Sequence, residues 1–254
     1  MANPTRKIVA IGGGVMKTGA TMAIDKEIIR LSQKKRPKLL FLPTATSDSK
    51  LYWKHVDRHF GTELGCKTDV LYLLKETPSP KAIGEAILGT DIIYVGGGNT
   101  LKMMRRWRWL GVDKLLKTAW QRGIVLSGIS AGSICWFDSG HSDSRSFYNP
   151  KEWKYINVRG LGFLKGIHCP HYNGSTLGTP RRVHFRPMIQ KAGGIGIAIE
   201  NNCAIAFLDD QYRVITSKQN AKAYRVFKKD GKVQSERIPQ VQRRTPIARL
   251  FRQG

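Results

Sequence analysis

Ile124-Val-Leu-Ser-Gly-Ile-Ser-Ala-Gly-Ser-Ile-Cys-Trp-Phe137 is the stretch on which the reading of this chain turns. Residues 124–127 read as a buried strand and the apolar run 133–137 as part of the helix after it. Between them Gly128-Ile129-Ser130-Ala131-Gly132 must reverse the chain within a few bonds. A nucleophile on such a strained strand-to-helix turn needs small neighbours, because bulk there would meet adjacent backbone; Gly128 and Gly132 supply them. The helix N-terminus then faces Ser130 Oγ, and the free Ala131 N–H favours a developing oxyanion. A bare G-x-S-x-G also occurs as an inert tight turn. The strand before it and the helix after it lift the functional reading above that one.

Outward from this turn the chain alternates. Residues 7–11, 38–42, 69–73, 91–95 and 124–127 read as strands, and 24–33, 51–64, 80–88, 101–110 and 112–121 as helices. Lys38-Leu-Leu-Phe-Leu42 and Asp91-Ile-Ile-Tyr-Val95 are apolar without alternation, so both of their faces are covered. That predicts an α/β fold with a doubly wound, mostly parallel sheet flanked by helices, whose ligands sit beyond the carboxyl ends of the strands. Residues 138–150 are polar and read as a long functional loop. Residues 194–199, 204–208, 212–216 and 223–227 read as strands, the later ones antiparallel. No linker divides the chain, so residues 1–254 are expected to form a single domain with a basic segment at about 217–254, its last ten or so residues frayed.

Composition narrows the class. The chain has 254 residues, 41% of them hydrophobic and 24% charged, which excludes disorder as the main state. No run of about eighteen uncharged apolar residues occurs, and the N-terminus lacks a signal-peptide core, so a cytoplasmic protein without membrane contact is expected. Cys66, Cys135, Cys169 and Cys203 form no C-x-x-C pair and read as reduced, buried thiols, with no metal expected. The net charge of +25 attracts polyanions. The cations are spread along the chain, so nucleic acid is expected only through non-specific charge attraction. In Met103-Met104-Arg105-Arg106-Trp107-Arg108-Trp109-Leu110 the interleaved Arg and Trp suggest a stacking platform, but Met103, Met104, Trp107 and Leu110 share a helical face and read as core.

Val95-Gly96-Gly97-Gly98-Asn99-Thr100 stands at the end of another buried strand. Its unshielded amides offer a second oxyanion donor beside Ala131, each such donor being worth about 2.7–4 kcal/mol in a transition state. Neither G-x-G-x-x-G nor a following Lys-Ser/Thr pair is present, which disfavours a nucleotide. A serine needs a base. His55 and His59, four apart in a helical segment, read as a surface pair; His184 lies in a basic helix. His168 and His171 flank Cys169-Pro170 at a strand end and are the candidates, with Asp138, Asp143 or Glu200 as the orienting acid.

Tyr94-Val-Gly-Gly-Gly-Asn-Thr100, Ser127-Gly-Ile-Ser-Ala-Gly-Ser133 and Pro170-His-Tyr172 together resemble the peptidase E family of serine peptidases, which includes aspartyl dipeptidases and is related to cyanophycinase. The resemblance spans about residues 7–216. It implies a fold like that of class I glutamine amidotransferases (flavodoxin-like), with Ser130 as nucleophile and His171 as base. It also implies Asp143 as acid, with Glu200 as the alternative, and an oxyanion hole made by Gly98 and Ala131. Asn99 and Arg145 are the expected substrate-binding residues, Arg145 for a substrate carboxylate. The implied substrate is a small peptide, with N-terminal aspartate favoured; no cofactor is expected, and a homodimer is left open. Competing readings are a cyanophycinase-like or esterase-type hydrolase and, from a different class, a catalytically idle polyanion-binding protein. No His precedes Gly96, against the H-G-G-G-type oxyanion motif of esterases.

Overall fold

The computed structural model describes residues 4–252. The first half runs β1 (Lys7–Ile11), α1 (Met22–Ser32), β2 (Lys38–Leu42), α2 (Lys50–Val56), β3 (Lys67–Val70), α3 (Pro80–Leu88), β4 (Ile92–Val95), α4 (Thr100–Leu110), α5 (Val112–Gln121) and β5 (Val125–Ile129). The five strands are parallel, in the spatial order β1-β5-β4-β2-β3. Successive side chains of a strand point to opposite faces. Ile8 and Ala10 therefore join the core beneath α3, α4 and α5, while Val9 and Ile11 join the one beneath α1 and α2. Both faces are covered, which is why these strands carry no polar alternation. Trp107, Met103 and Met104 are fully buried in the first of these cores, whereas Trp109 is 70% exposed with the Arg106 guanidinium over its ring.

The second half contains α6 (Ala131–Ile134), β6 (Phe137–Ser142), β7 (Ile156–Arg159), β8 (Leu164–Cys169), a small hairpin of β9 (Ser175–Thr176) and β10 (Thr179–Pro180), α7 (Arg181–Ala192) and β11 (Ile195–Ile199). It closes with β12 (Cys203–Leu208), β13 (Gln211–Thr216), β14 (Ala223–Lys229), β15 (Lys232–Ile238), β16 (Thr245–Pro246) and α8 (Ala248–Phe251). β12, β13 and β16 extend the first sheet antiparallel from β1, making it eight-stranded. β9 and β10 pair only with each other, and the remaining six strands form a second sheet in the order β15-β14-β11-β8-β6-β7. Ile167, Cys169 and Ala198 face α7, and Phe137, Val158, Ile197 and Ile199 pack towards the first sheet.

Several expectations change. Residues 137–142 are not a loop: β6 lies between β7 and β8, and His141 and Ser142 are buried despite their polarity. The helix expected over 51–64 widens after Val56 into π-helical turns at Asp57–Glu63. There His59 is buried, not on the surface, with Nε2 2.9 Å from Asp25 Oδ2 and Nδ1 3.1 Å from Glu63 Oε2. Near the C-terminus, where fraying was expected, Thr245–Pro246 pairs with β13 and Leu250 is fully buried. All four cysteines are free and buried. Among the described residues, no helix is long and apolar enough to cross a membrane.

Candidate active site

β5 leads directly into Ser130, whose backbone takes φ 57° and ψ −116°, a region that non-glycine residues rarely adopt. Its N–H donates to Ile11 C=O (3.1 Å), and its own C=O accepts from the N–H groups of Ser133 (2.9 Å) and Ile134 (3.0 Å). The flanking glycines are sterically required. A Cβ on Gly128 would run into the Gly132 carbonyl, and one on Gly132 into the Val95 carbonyl of β4. The helix behind the turn is shorter than expected: α6 is a single, buried four-residue turn, too short to supply a macrodipole.

The glycine loop after β4 lies directly against this turn. A Cβ on Gly97 would stand 3.2 Å from Ser130 Cβ, and Gly98, at φ 129°, has room for none because the Ala45 carbonyl occupies the place. Among the described residues, neither Gly98 N–H nor Ala131 N–H donates a hydrogen bond within the protein. Two free amide donors thus sit beside Ser130.

β8 brings the imidazole. Past its end, His171 N–H donates to Gly12 C=O (2.9 Å) and Tyr172 N–H to Ile199 C=O (3.1 Å), which ties this turn to β1 and β11. Gly13 faces the ring edge, where any Cβ would overlap the imidazole. His171 Nδ1 lies 2.5 Å from Asn201 Oδ1. An amide oxygen only accepts, so Nδ1 carries the proton and Nε2 keeps its lone pair. Burial holds this histidine below its ordinary pKa and the Arg181 charge adds to that; the Asn201 bond and Asp143 push the other way.

Neither expected acid touches the ring. Glu200 points away from it, accepting from Lys222 N–H (2.9 Å) and Tyr224 O–H (3.3 Å), because successive residues after β11 face opposite sides; Asn201, the next residue, is the one that meets His171. Asp143 Oδ2 accepts from Arg181 Nη2 (2.5 Å) and Thr176 Oγ1 (2.8 Å). Asp138 is exposed and accepts from Gly166 N–H (2.9 Å). Asn99 is buried as the N-cap of α4, its Oδ1 accepting from Lys102 N–H (3.0 Å) and its Nδ2 donating to Ser144 C=O (3.3 Å). Arg145 is exposed on the short helical turn after β6.

Ser130, His171, Gly98 and Asn201 open onto one cavity of about 200 Å³, together with Asp143, Phe147, Thr176 and Arg181. Asn201 and Arg181 were not legible as site residues from sequence. An amide carries no triad signature, and Arg181 is one cation among many. The only sequence signal for Asn201 is its position in the turn after an apolar strand, next to Glu200.

The sequence profile of Peptidase family S51 matches residues 8–215. The chain belongs to peptidase family S51. A relative described as the uncharacterised peptidase YgaJ of Bacillus subtilis strain 168 is 35% identical over 237 residues, which is 92% of this chain and 97% of YgaJ. Among solved structures, a peptidase from an acI-B1 Actinobacterium superposes with a TM-score of 0.72 at 19% identity, covering 95% of this chain and 96% of that one. A structure described as a peptidase E protein from Listeria monocytogenes EGD-e gives 0.62 at 18% identity, covering 84% and 98%. At these identities the two structures speak for the fold. As an S51 member the chain is a serine-type peptidase, a hydrolase of peptide bonds.

Proposed function

We propose that this peptidase cleaves small peptides with N-terminal aspartate through an acyl-enzyme on Ser130, with His171 as general base and Asn201, not a carboxylate, orienting the imidazole. The observation that carries the reading is the shared cavity: the Ser130 hydroxyl, the His171 imidazole and the Gly98 loop, remote from one another in sequence, line one space of about 200 Å³. Ser130 Oγ passes its proton to His171 Nε2 as it attacks the scissile carbonyl. The oxyanion forms against the Gly98 and Ala131 N–H groups. His171 then returns the proton to the leaving amine, and water repeats the sequence to release the acyl group. Asn201 fixes the Nδ1–H tautomer that this transfer needs.

The cavity walls support the choice of substrate. Asp143 and Arg181 form an ion pair there, and Asp143 Oδ1 accepts no hydrogen bond among the described residues. An N-terminal aspartyl residue carries an ammonium and a carboxylate side by side, the complement of this pair. Asp143 is assigned to the ammonium and Arg181 to the carboxylate, the role expected of Arg145. The test compares Asp-Leu, Asn-Leu and N-acetyl-Asp-Leu. We expect kcat/KM to fall about tenfold or more for each of the latter two, the range of one lost charged contact. Equal rates for all three would reject this substrate assignment.

A further inference from the structure

The strand that delivers His171 carries a second imidazole three residues earlier, and nothing in the proposed reaction uses it. His168 is fully buried on β8, opposite Ile197 of β11 and Gly140 of β6. Its neighbours Ile167 and Cys169 face α7, so alternation turns His168 to the other face, towards the turn that bears Ser130. The ring stacks on Phe137, with centroids 4.6 Å apart. Nδ1 lies 2.8 Å from Ile197 C=O, which can only accept; Nδ1 therefore holds the proton and Nε2 is an acceptor. The partner of Nε2 is Ser133 Oγ, at 2.8 Å. Burial keeps this imidazole neutral, with its pKa lowered to about 3.

Ser133 Oγ is also 2.7 Å from the carbonyl of Ser130. One hydroxyl proton thus lies between two acceptors, His168 Nε2 on the second sheet and the carbonyl of Ser130 on the first. We propose that Ser133 and His168 are positioning residues for the peptidase reaction: their contact sets the separation between the strand that carries His171 and the turn that carries Ser130. Two features make such a brace consequential. α6 is one turn long and cannot anchor the strained Ser130 by its own length, and Asn201 holds His171 by a neutral bond only. This inference rests on the proposed roles of Ser130 and His171.

The experiment measures kcat and KM on an Asp-Xaa dipeptide, together with the rate of covalent labelling by a fluorophosphonate, for wild type, Ser133→Ala and Ser133→Thr. Displacement of a reacting group by about an ångström costs about 10²-fold in rate. We therefore expect Ser133→Ala to lower kcat and the labelling rate together by about 10–100-fold with KM unchanged within about twofold. Ser133→Thr, which keeps the hydroxyl, recovers both to within about fivefold. A Ser133→Ala protein with wild-type kcat and labelling rate overturns the proposal, and so does a Ser133→Thr protein as impaired as Ser133→Ala. His168→Gln gives an independent arm, since an amide oxygen can replace Nε2 as acceptor; retention of more activity than in His168→Leu is expected, and equal loss in the two counts against the brace. Absence of labelling and turnover in the wild type would instead strike at the roles of Ser130 and His171.

Discussion

His171 Nδ1 meets Asn201 Oδ1 at 2.5 Å, so the imidazole in this cavity is oriented by a neutral amide while the carboxylates of Glu200 and Asp143 are engaged elsewhere. An amide fixes the tautomer as a carboxylate does, but it does not stabilise the imidazolium by charge. Burial and then the Arg181 guanidinium act against protonation of the ring, and the Asp143 carboxylate acts more weakly in its favour.

The pH dependence follows from that arrangement. In its proposed role as base His171 acts only when neutral, and its pKa lies below the ordinary 6.5 because burial and Arg181 disfavour the charged ring. The acidic limb of kcat/KM should therefore fall below pH 6.5. Asn201→Asp places an anion against Nδ1, raises the pKa and moves that limb to higher pH; Asn201→Ala leaves the limb low but reduces kcat by about tenfold or more through loss of orientation. Full pH–rate profiles of the three proteins check both directions.

The glycines of the turn predict a folding phenotype. Gly128→Ala drives a methyl into the Gly132 carbonyl of α6, and Gly132→Ala drives one into the Val95 carbonyl, which cannot move without breaking the β4–β5 register. Overpacking against backbone costs about 1–3 kcal/mol or more. Lowered thermal midpoints should therefore accompany loss of activity, whereas Gly178→Ala, on an open turn with nothing near it but with φ 79°, should cost only about 1 kcal/mol and spare activity. Differential scanning calorimetry of the three variants distinguishes the cases.

Acid should weaken the fold through its buried imidazoles. His141 and His168 are held at about 2 and about 3, chiefly by burial, against about 6.5 in an unfolded chain. Between those values the unfolded state binds more protons than the native one, so stability rises with pH across the window and is lost as pH falls from 6.5 towards 3. Each imidazole contributes about 1.4 kcal/mol per pH unit there. His59 has the opposite sign: burial opposes its charge, but Asp25 and Glu63 on either side raise it above its ordinary value, and its contribution is lost as pH rises through that raised value. Urea midpoints between pH 4 and pH 7 should climb with pH, and His168→Phe should flatten the climb.

The parallel half of the fold was legible because its physics is local. β1, β2, α3 and α5 have the bounds that apolar runs, Pro80 and the intervening turns suggest, since each buries its side chains on covered faces. The second sheet was not separable from the first. β6 reads Phe-Asp-Ser-Gly-His-Ser, and only pairing with β7 and β8 makes a strand of it, with Gly140 admitting Ile134 and the His168 backbone. Ser130 and His171, singled out from motifs because strained turns need particular neighbours, do line one cavity. The partner of the His171 ring was not legible, since which of Glu200 and Asn201 faces the ring depends on a one-residue alternation at the end of β11 and on Gly13 making room.

Locating a fluorophosphonate adduct by peptide mass spectrometry is the most direct check on the assignment of the nucleophile. A single phosphonyl group on Ser130, absent from Ser130→Ala and formed at least tenfold more slowly in His171→Ala, is the predicted result. Undiminished hydrolysis of Asp-Xaa dipeptides by a folded Ser130→Ala protein, or an adduct on another residue of an active wild type, would contradict it.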